Sequence, residues 1–129
     1  MITNFEEITQ PLTDQERQLV KILVQGFSKI SKDKPMKAPE VIKQINAKYG
    51  ATICKLSGPR LRKLVNYIRG NGIIPLIATS SGYYCSTDPK EIDAQIKSLR
   101  QRAEAIINAA DGLAEYKAIN ITAPTMELN

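Results

Sequence analysis

"LSGPRLRKLVNYIRGNG", residues Leu56–Gly72, sets four cations, Arg60, Arg62, Lys63 and Arg69, around a short apolar stripe. Ser57 is the kind of residue that caps a helix, Pro59 suits a first turn and Gly72 suits a C-terminal stop, so the spacing predicts a helix between them. At 100° per residue, Leu61, Leu64, Val65 and Ile68 share one side and form its core stripe. Opposite them stand Pro59, Lys63, Asn66 and Gly70, with Tyr67 and Arg60 to one side and Arg62 and Arg69 to the other. No acidic residue occurs from Ser57 to Gly72. A surface helix ordinarily interleaves glutamate with lysine and gains from the pairs, so an all-cation face takes its counter-charges from elsewhere.

Duplex DNA would supply them. Its major groove admits one α-helix, Arg and Lys grip guanine O6 and N7, and Asn reads adenine N6 and N7. The expected DNA contacts on this helix are Ser57, Arg60, Arg62, Lys63, Asn66 and Tyr67, with Lys63 and Asn66 facing bases. The competing interpretation is a solvated cationic face without a partner.

Upstream the charge continues. From Lys29 to Gly72 eleven cations stand against Asp33 and Glu40, a net +9 inside a chain whose total is +5. A basic block in an otherwise slightly acidic chain is the one-dimensional footprint of a polyanion-binding face. Lys34 and Lys37, in the polar and proline-interrupted "KISKDKPMK", are expected to meet phosphates, and the same segment has room for a short edge strand near Met36. Two helices precede the opening one. Thr13-Asp14-Gln15-Glu16 reads as a capping box, and Leu19, Val20, Leu23 and Phe27 follow at helical spacing, for a helix over about Asp14 to Ser28. Pro39 opens a second helix, with Val41, Ile42 and Ile45 on one side and Gly50 as its stop. The brief connection "ATICKL" then leads to the more cationic third, which completes a helix-turn-helix outline.

Downstream the period changes. "IIPLIATSSGYYCS" alternates, turns and alternates again, which predicts a β-hairpin with Gly82 near its tip. Tyr83 and Tyr84 point to opposite faces, so one is expected in the core and the other half exposed. Asp88-Pro89-Lys90-Glu91 then joins a cap, a first-turn proline and a capping-box glutamate, opening a helix to about Asp111 with Gly112 as its stop. "LAEYKAINI" leaves open whether the helix continues. Ile92, Ile96, Leu99, Ala103, Ile106, Ala110 and Leu113 follow steps of four and three, a heptad seam that points to a homodimer. The same seam would also serve a helix folded back on its own domain, and the direction of pairing is not fixed by it.

The length suits one domain with an added arm. We read residues 1–12 as a flexible lead-in, 13–87 as the DNA-binding domain, 88–113 as the dimerisation helix and 114–129 as a partly disordered tail. The chain contains no histidine, glycine-rich phosphate loop, nucleophile motif or carboxylate cluster with metal-ligand spacing, so neither an enzyme nor a cofactor or metal site is expected. Cys54 and Cys85 would need two further ligands to hold zinc, and they are expected as reduced thiols in a cytoplasmic protein. No run of about 18 apolar residues occurs, and Met1 to Leu12 carries Glu6 and Glu7 rather than a cationic lead into an apolar run, so no membrane partner is expected.

"LRKLVNYIRGNGIIPLIATSSGYYCS" resembles the winged helix-turn-helix class, and is similar to the DNA-binding domain type of the biotin operon repressor and of small phage or prophage proteins. The likeness lies in a helix ending at Arg69, two residues, Gly72, a strand, a short wing and Gly82-Tyr83, and it covers roughly Asp14 to Ser86. It implies that the third helix is the recognition helix and that the hairpin is the wing. The wing tip, Thr79-Ser80-Ser81, departs from the class in lacking Lys or Arg, so the wing is expected to offer only the hydroxyls of Ser80 and Ser81 to phosphate rather than enter the minor groove. The expected fold is therefore mainly α with a small β-hairpin, a winged helix-turn-helix plus a long C-terminal helix. The expected function is sequence-specific binding of double-stranded DNA by a dimeric phage-type transcriptional regulator or replication accessory factor. The alternative is a winged-helix adaptor that binds a protein partner in a replication complex without reading bases.

Overall fold

The computed structural model describes residues 10–121. Most of the expected lead-in, residues 1–9, and the last part of the expected tail, residues 122–129, lie outside the described residues. The fold class is the one read from the sequence: helices α1 (Asp14–Phe27), α2 (Ala38–Tyr49) and α3 (Gly58–Gly70), an antiparallel hairpin of β1 (Leu76–Thr79) and β2 (Gly82–Cys85), and a long helix α4 (Pro89–Asn120). The chain divides into two compact units, one through Ile92 and one from Asp93.

Local chemistry explains the helix ends. Thr13 and Glu16 form a reciprocal capping box, with the Thr13 amide donating to Glu16 Oε1 at 2.9 Å and the Glu16 amide to Thr13 Oγ1 at 3.1 Å. Ser57 caps α3 by accepting from the Arg60 amide. At the far end Gly72 takes φ +61°, its amide donates to Arg69 O at 3.0 Å and the Ile73 amide donates to Ile68 O at 3.1 Å. That pair of bonds is a Schellman closure, which needs the left-handed conformation glycine adopts at no steric cost.

The core gathers Leu19, Leu23 and Phe27 from α1, Val41 and Ile45 from α2, the stripe Leu61, Leu64, Val65 and Ile68 from α3, and Leu76 and Tyr83 from the hairpin. All four stripe residues are at most 2 % exposed, each burial worth about 1.5–3 kcal/mol relative to exposure. Phe27 meets Tyr83 edge to face at 5.4 Å between ring centroids.

The segment before α2 joins the hairpin as a third, single-bridge edge at Met36, where the Tyr83 amide donates to Met36 O at 2.8 Å and the Met36 amide to Tyr83 O at 3.0 Å. Gly82, at φ +127°, makes this approach possible: a β-carbon there would lie 2.6 Å from the Met36 carbonyl carbon.

Three expectations are corrected. Tyr84 is buried like Tyr83, because the second face of the hairpin, with its cross-strand pair Ile77 and Tyr84, is shielded from water too and the one-sided alternation does not apply. Glu91 does not close a capping box on Asp88; it pairs with Lys32 and accepts from the Ser86 hydroxyl, while Asp88 alone caps the Lys90 amide at 2.9 Å. Gly112 does not stop the last helix, which continues to Asn120. A glycine inside a helix costs only about 1 kcal/mol relative to alanine, and Ala109, Ala110, Leu113, Ala114 and Glu115 around it are strong helix formers.

Glu16 carries a second load. Its carboxylate accepts Arg60 Nε at 2.7 Å and Nη2 at 2.5 Å, and both side chains are nearly buried, at 8 and 12 % exposure. The hydrogen bonds from Arg60, helped by Thr13, hold the Glu16 carboxyl below the usual carboxylate range against the opposing effect of burial. A carboxyl lowered in the folded state contributes stability that is complete above its unfolded value near about 4.3 and is lost as pH falls through the folded value. We expect Glu16→Gln to cost about 3 kcal/mol at neutral pH by leaving Arg60 buried without its counter-charge. We further expect thermal melts of the variant to lose less stability than the natural chain below about pH 4.3. Parallel pH profiles for the two chains would refute this account.

Candidate nucleic-acid interface

The cationic helix is pinned at its entrance from both preceding helices. Asn46 of α2 clamps the backbone of Leu56, accepting its amide at 2.7 Å and donating to its carbonyl at 3.0 Å, one residue before the Ser57 cap. From the other side, Arg60 reaches Glu16 of α1 and also donates to Gln10 O and Pro11 O, both at 3.0 Å. Arg60 is therefore corrected from a DNA contact to a structural cation: its guanidinium is spent on the carboxylate and on the carbonyls of the chain leading into α1. Leu12, expected in a loose lead-in, packs against the core.

The remaining polar side chains of α3 form its outer face. Arg62, Asn66 and Tyr67 are exposed, while Lys63 and Arg69 are half-buried. Asn66 Oδ1 accepts Arg69 Nη2 at 3.1 Å, so an amide and a guanidinium sit paired one helical turn apart. The Tyr83 phenol lies within the field of Arg69 and Arg62; burial pushes its pKa up and the two cations partly offset that. Ser57 is half-buried and already serves as the cap.

Lys34 and Lys37 are both exposed. Lys37 occupies the N-cap of α2 without a side-chain cap bond, at the positive end of the helix dipole. It lines a cavity of about 230 Å³ together with Ala38, Thr79 and Ser80, the last two from the hairpin tip. Thr79 Oγ1 is used within the turn, accepting from the Ser81 amide at 3.1 Å and donating to Gly82 O at 3.3 Å, which leaves Ser80 and Ser81 at the exposed tip. Cys54 and Cys85 are free thiols, and burial raises both pKa values, so neither is poised as a nucleophile.

Along the predicted seam of α4, Ile92 and Leu99 are half-buried, and Ile96, Ala103, Ile106, Ala110 and Leu113 are exposed. No helix among the described residues is long and apolar enough to cross a membrane. Comparison with protein-family models, with curated proteins and with solved structures finds no match for this chain.

Sequence reading did not find Asn46, because a lone asparagine on a helix carries no local sign of a partner ten residues away. Its removal leaves a nearly enclosed amide and carbonyl without partners, at a cost of about 1–3 kcal/mol. We expect Asn46→Ala to lower the midpoint of urea unfolding by that amount and Asn46→Asp to recover part of it. A neutral Asn46→Ala would show that the clamp does not position α3.

Proposed function

We propose that this chain binds double-stranded DNA, with α3 as the recognition helix and the hairpin as a wing that offers hydroxyls to the backbone. The observation that carries the proposal is the outer face of α3. Arg62, Lys63, Asn66, Tyr67 and Arg69 lie on it without a carboxylate between Ser57 and Gly72, and neither Arg62 nor Lys63 has an ion pair among the described residues. The major groove takes one such helix, in which an asparagine donates to adenine N7 and accepts from the N6 amino group, and a lysine donates to guanine O6 and N7. Lys37 and Ser80, which line one cavity at the N-terminus of α2, form a corner that favours a phosphate.

The resemblance to winged helix-turn-helix proteins supports the same assignment of α3 and the hairpin. On this reading the chain works in the cytoplasm as a homodimer joined through α4, either as a phage-type transcriptional regulator or as a replication accessory factor. Two recognition helices reading half-sites a helical turn or a multiple apart would favour inverted repeats.

The test is selection of bound sequences from random duplexes, followed by titration across salt. With about five phosphates neutralised, log affinity falls against log salt at a slope of about −4 to −5. We expect Asn66→Ala to cost about 1–3 kcal/mol on the selected site and little on random DNA, and Lys34→Ala to weaken both alike. No binding at low salt, or a flat salt response, would overturn the proposal and favour the adaptor that binds a protein partner.

A further inference from the structure

From Gln101 to Ile121 every residue of the chain is exposed, and the large apolar side chains Ile106, Ile107, Leu113, Tyr116, Ile119 and Ile121 stand 56 to 72 % open to water. At 100° per residue all of them except Ile119 join Ala103, Ala109, Ala110 and Ala114 on one side of the helix, a face roughly 180° wide. A stretch of about 20 helical residues with such a face is not held together by its own propensity in water, and an apolar surface of this extent marks an interaction site.

The sequence of the face says what fits it. Large and small residues alternate along the seam, with Ala103 and Ala110 at one of the two heptad positions and Ile106 and Leu113 at the other. A parallel in-register pair sets like on like: alanine meets alanine and leaves gaps, and Lys117, which follows Ala110 at the same heptad position, meets Lys117. An antiparallel pair sets the two positions against each other. With its axis at Asn108, Ala103 meets Leu113 of the second copy, Ile106 meets Ala110, and Leu99 meets the aliphatic stem of Lys117, so each small position receives a large one.

The helix dipoles agree with that orientation: antiparallel pairing opposes them, whereas parallel pairing aligns them.

We propose that α4 pairs antiparallel with α4 of a second copy of this chain, about an axis at Asn108. The inference deepens the self-association in the proposed function and does not depend on DNA binding. It is tested in the full chain without DNA, in a background with Cys54→Ser and Cys85→Ser whose fold is checked by circular dichroism. Ala103→Cys and Leu113→Cys are oxidised separately and after mixing. We expect disulfide-linked dimers in the mixture and none in either variant alone, since like positions lie about 15 Å apart along the pair, beyond disulfide reach. Ready cross-linking of Leu113→Cys to itself, or no cross-link in the mixture, would overturn the proposal.

A second measurement needs no cysteine. Leu113 is 72 % exposed and lies outside the N-terminal core, so Leu113→Asp should leave that core folded and convert a dimer to a monomer in sedimentation. A natural chain that sediments as a monomer, or a Leu113→Asp variant that remains dimeric, would refute the pairing. A folded monomer that still binds DNA with a steep salt slope would leave the DNA reading standing.

Discussion

The Glu16 carboxylate is the joint on which the N-terminal unit is assembled. One carboxylate closes the capping box of α1 and receives the guanidinium fork of Arg60 from the first turn of α3. Two nearly buried charges cost several kcal/mol each to desolvate, and such a pair is sustained only when the remaining donors and acceptors are satisfied. Here they are: Thr13 takes one share of the carboxylate, and the carbonyls of Gln10 and Pro11 take another share of the guanidinium. The arrangement fixes α3 against α1 in direction as well as position, because an Arg fork has a plane and an apolar contact does not. Asn46 adds the equivalent restraint from α2, so the helix that bears the cationic face enters already oriented.

Sequence made the local devices legible and left the distant ones hidden. The caps at Thr13 and Ser57, the Gly72 closure, the Leu61 to Ile68 stripe and the turn at Gly82 are written within three or four residues, where backbone geometry dictates the residue type, whereas Glu91 is drawn off to Lys32 and Ser86 and the last helix runs through Gly112. Arg60 and Asn46 could not be placed that way, since their partners lie 44 and 10 residues away and neither end of the pairing differs in type from an exposed residue. Arg60 looked like its neighbours Arg62 and Lys63. Only the position of Glu16 in the folded chain separates a cation that holds the fold together from cations that face outward. The burial of Tyr84 was hidden for the related reason that alternation reports two faces but not whether both are covered.

The same economy runs through the basic block. Of its eleven cations, Arg60 serves the interior and the exposed Lys32 pairs with the half-buried Glu91. The rest keep a common sign along the loop, α2 and α3. Gly82 matters here beyond its turn: by admitting the Met36 backbone it lets the segment that carries Lys37 lie against the hairpin. A larger residue at position 82 would separate groups that the proposed DNA contact uses together.

If α3 reads DNA and α4 pairs two copies, as proposed, their exposed faces answer a single energetic requirement. On the proposed reading, each recognition helix places about two side chains on base edges, and each such contact discriminates by about 1–3 kcal/mol. Together that is about 2–6 kcal/mol, which reaches only the lower part of the roughly 4–10 kcal/mol by which specific protein–DNA complexes exceed non-specific ones. A second recognition helix carried by the same particle doubles the discrimination without any new base contact in either copy. It also converts the second binding event into an intramolecular one, often a gain of about 10²-fold or more. The apolar face of α4 would supply that link, and its cost in the single chain, a long helix with isoleucines open to water, is what a specificity built from two weak readers requires.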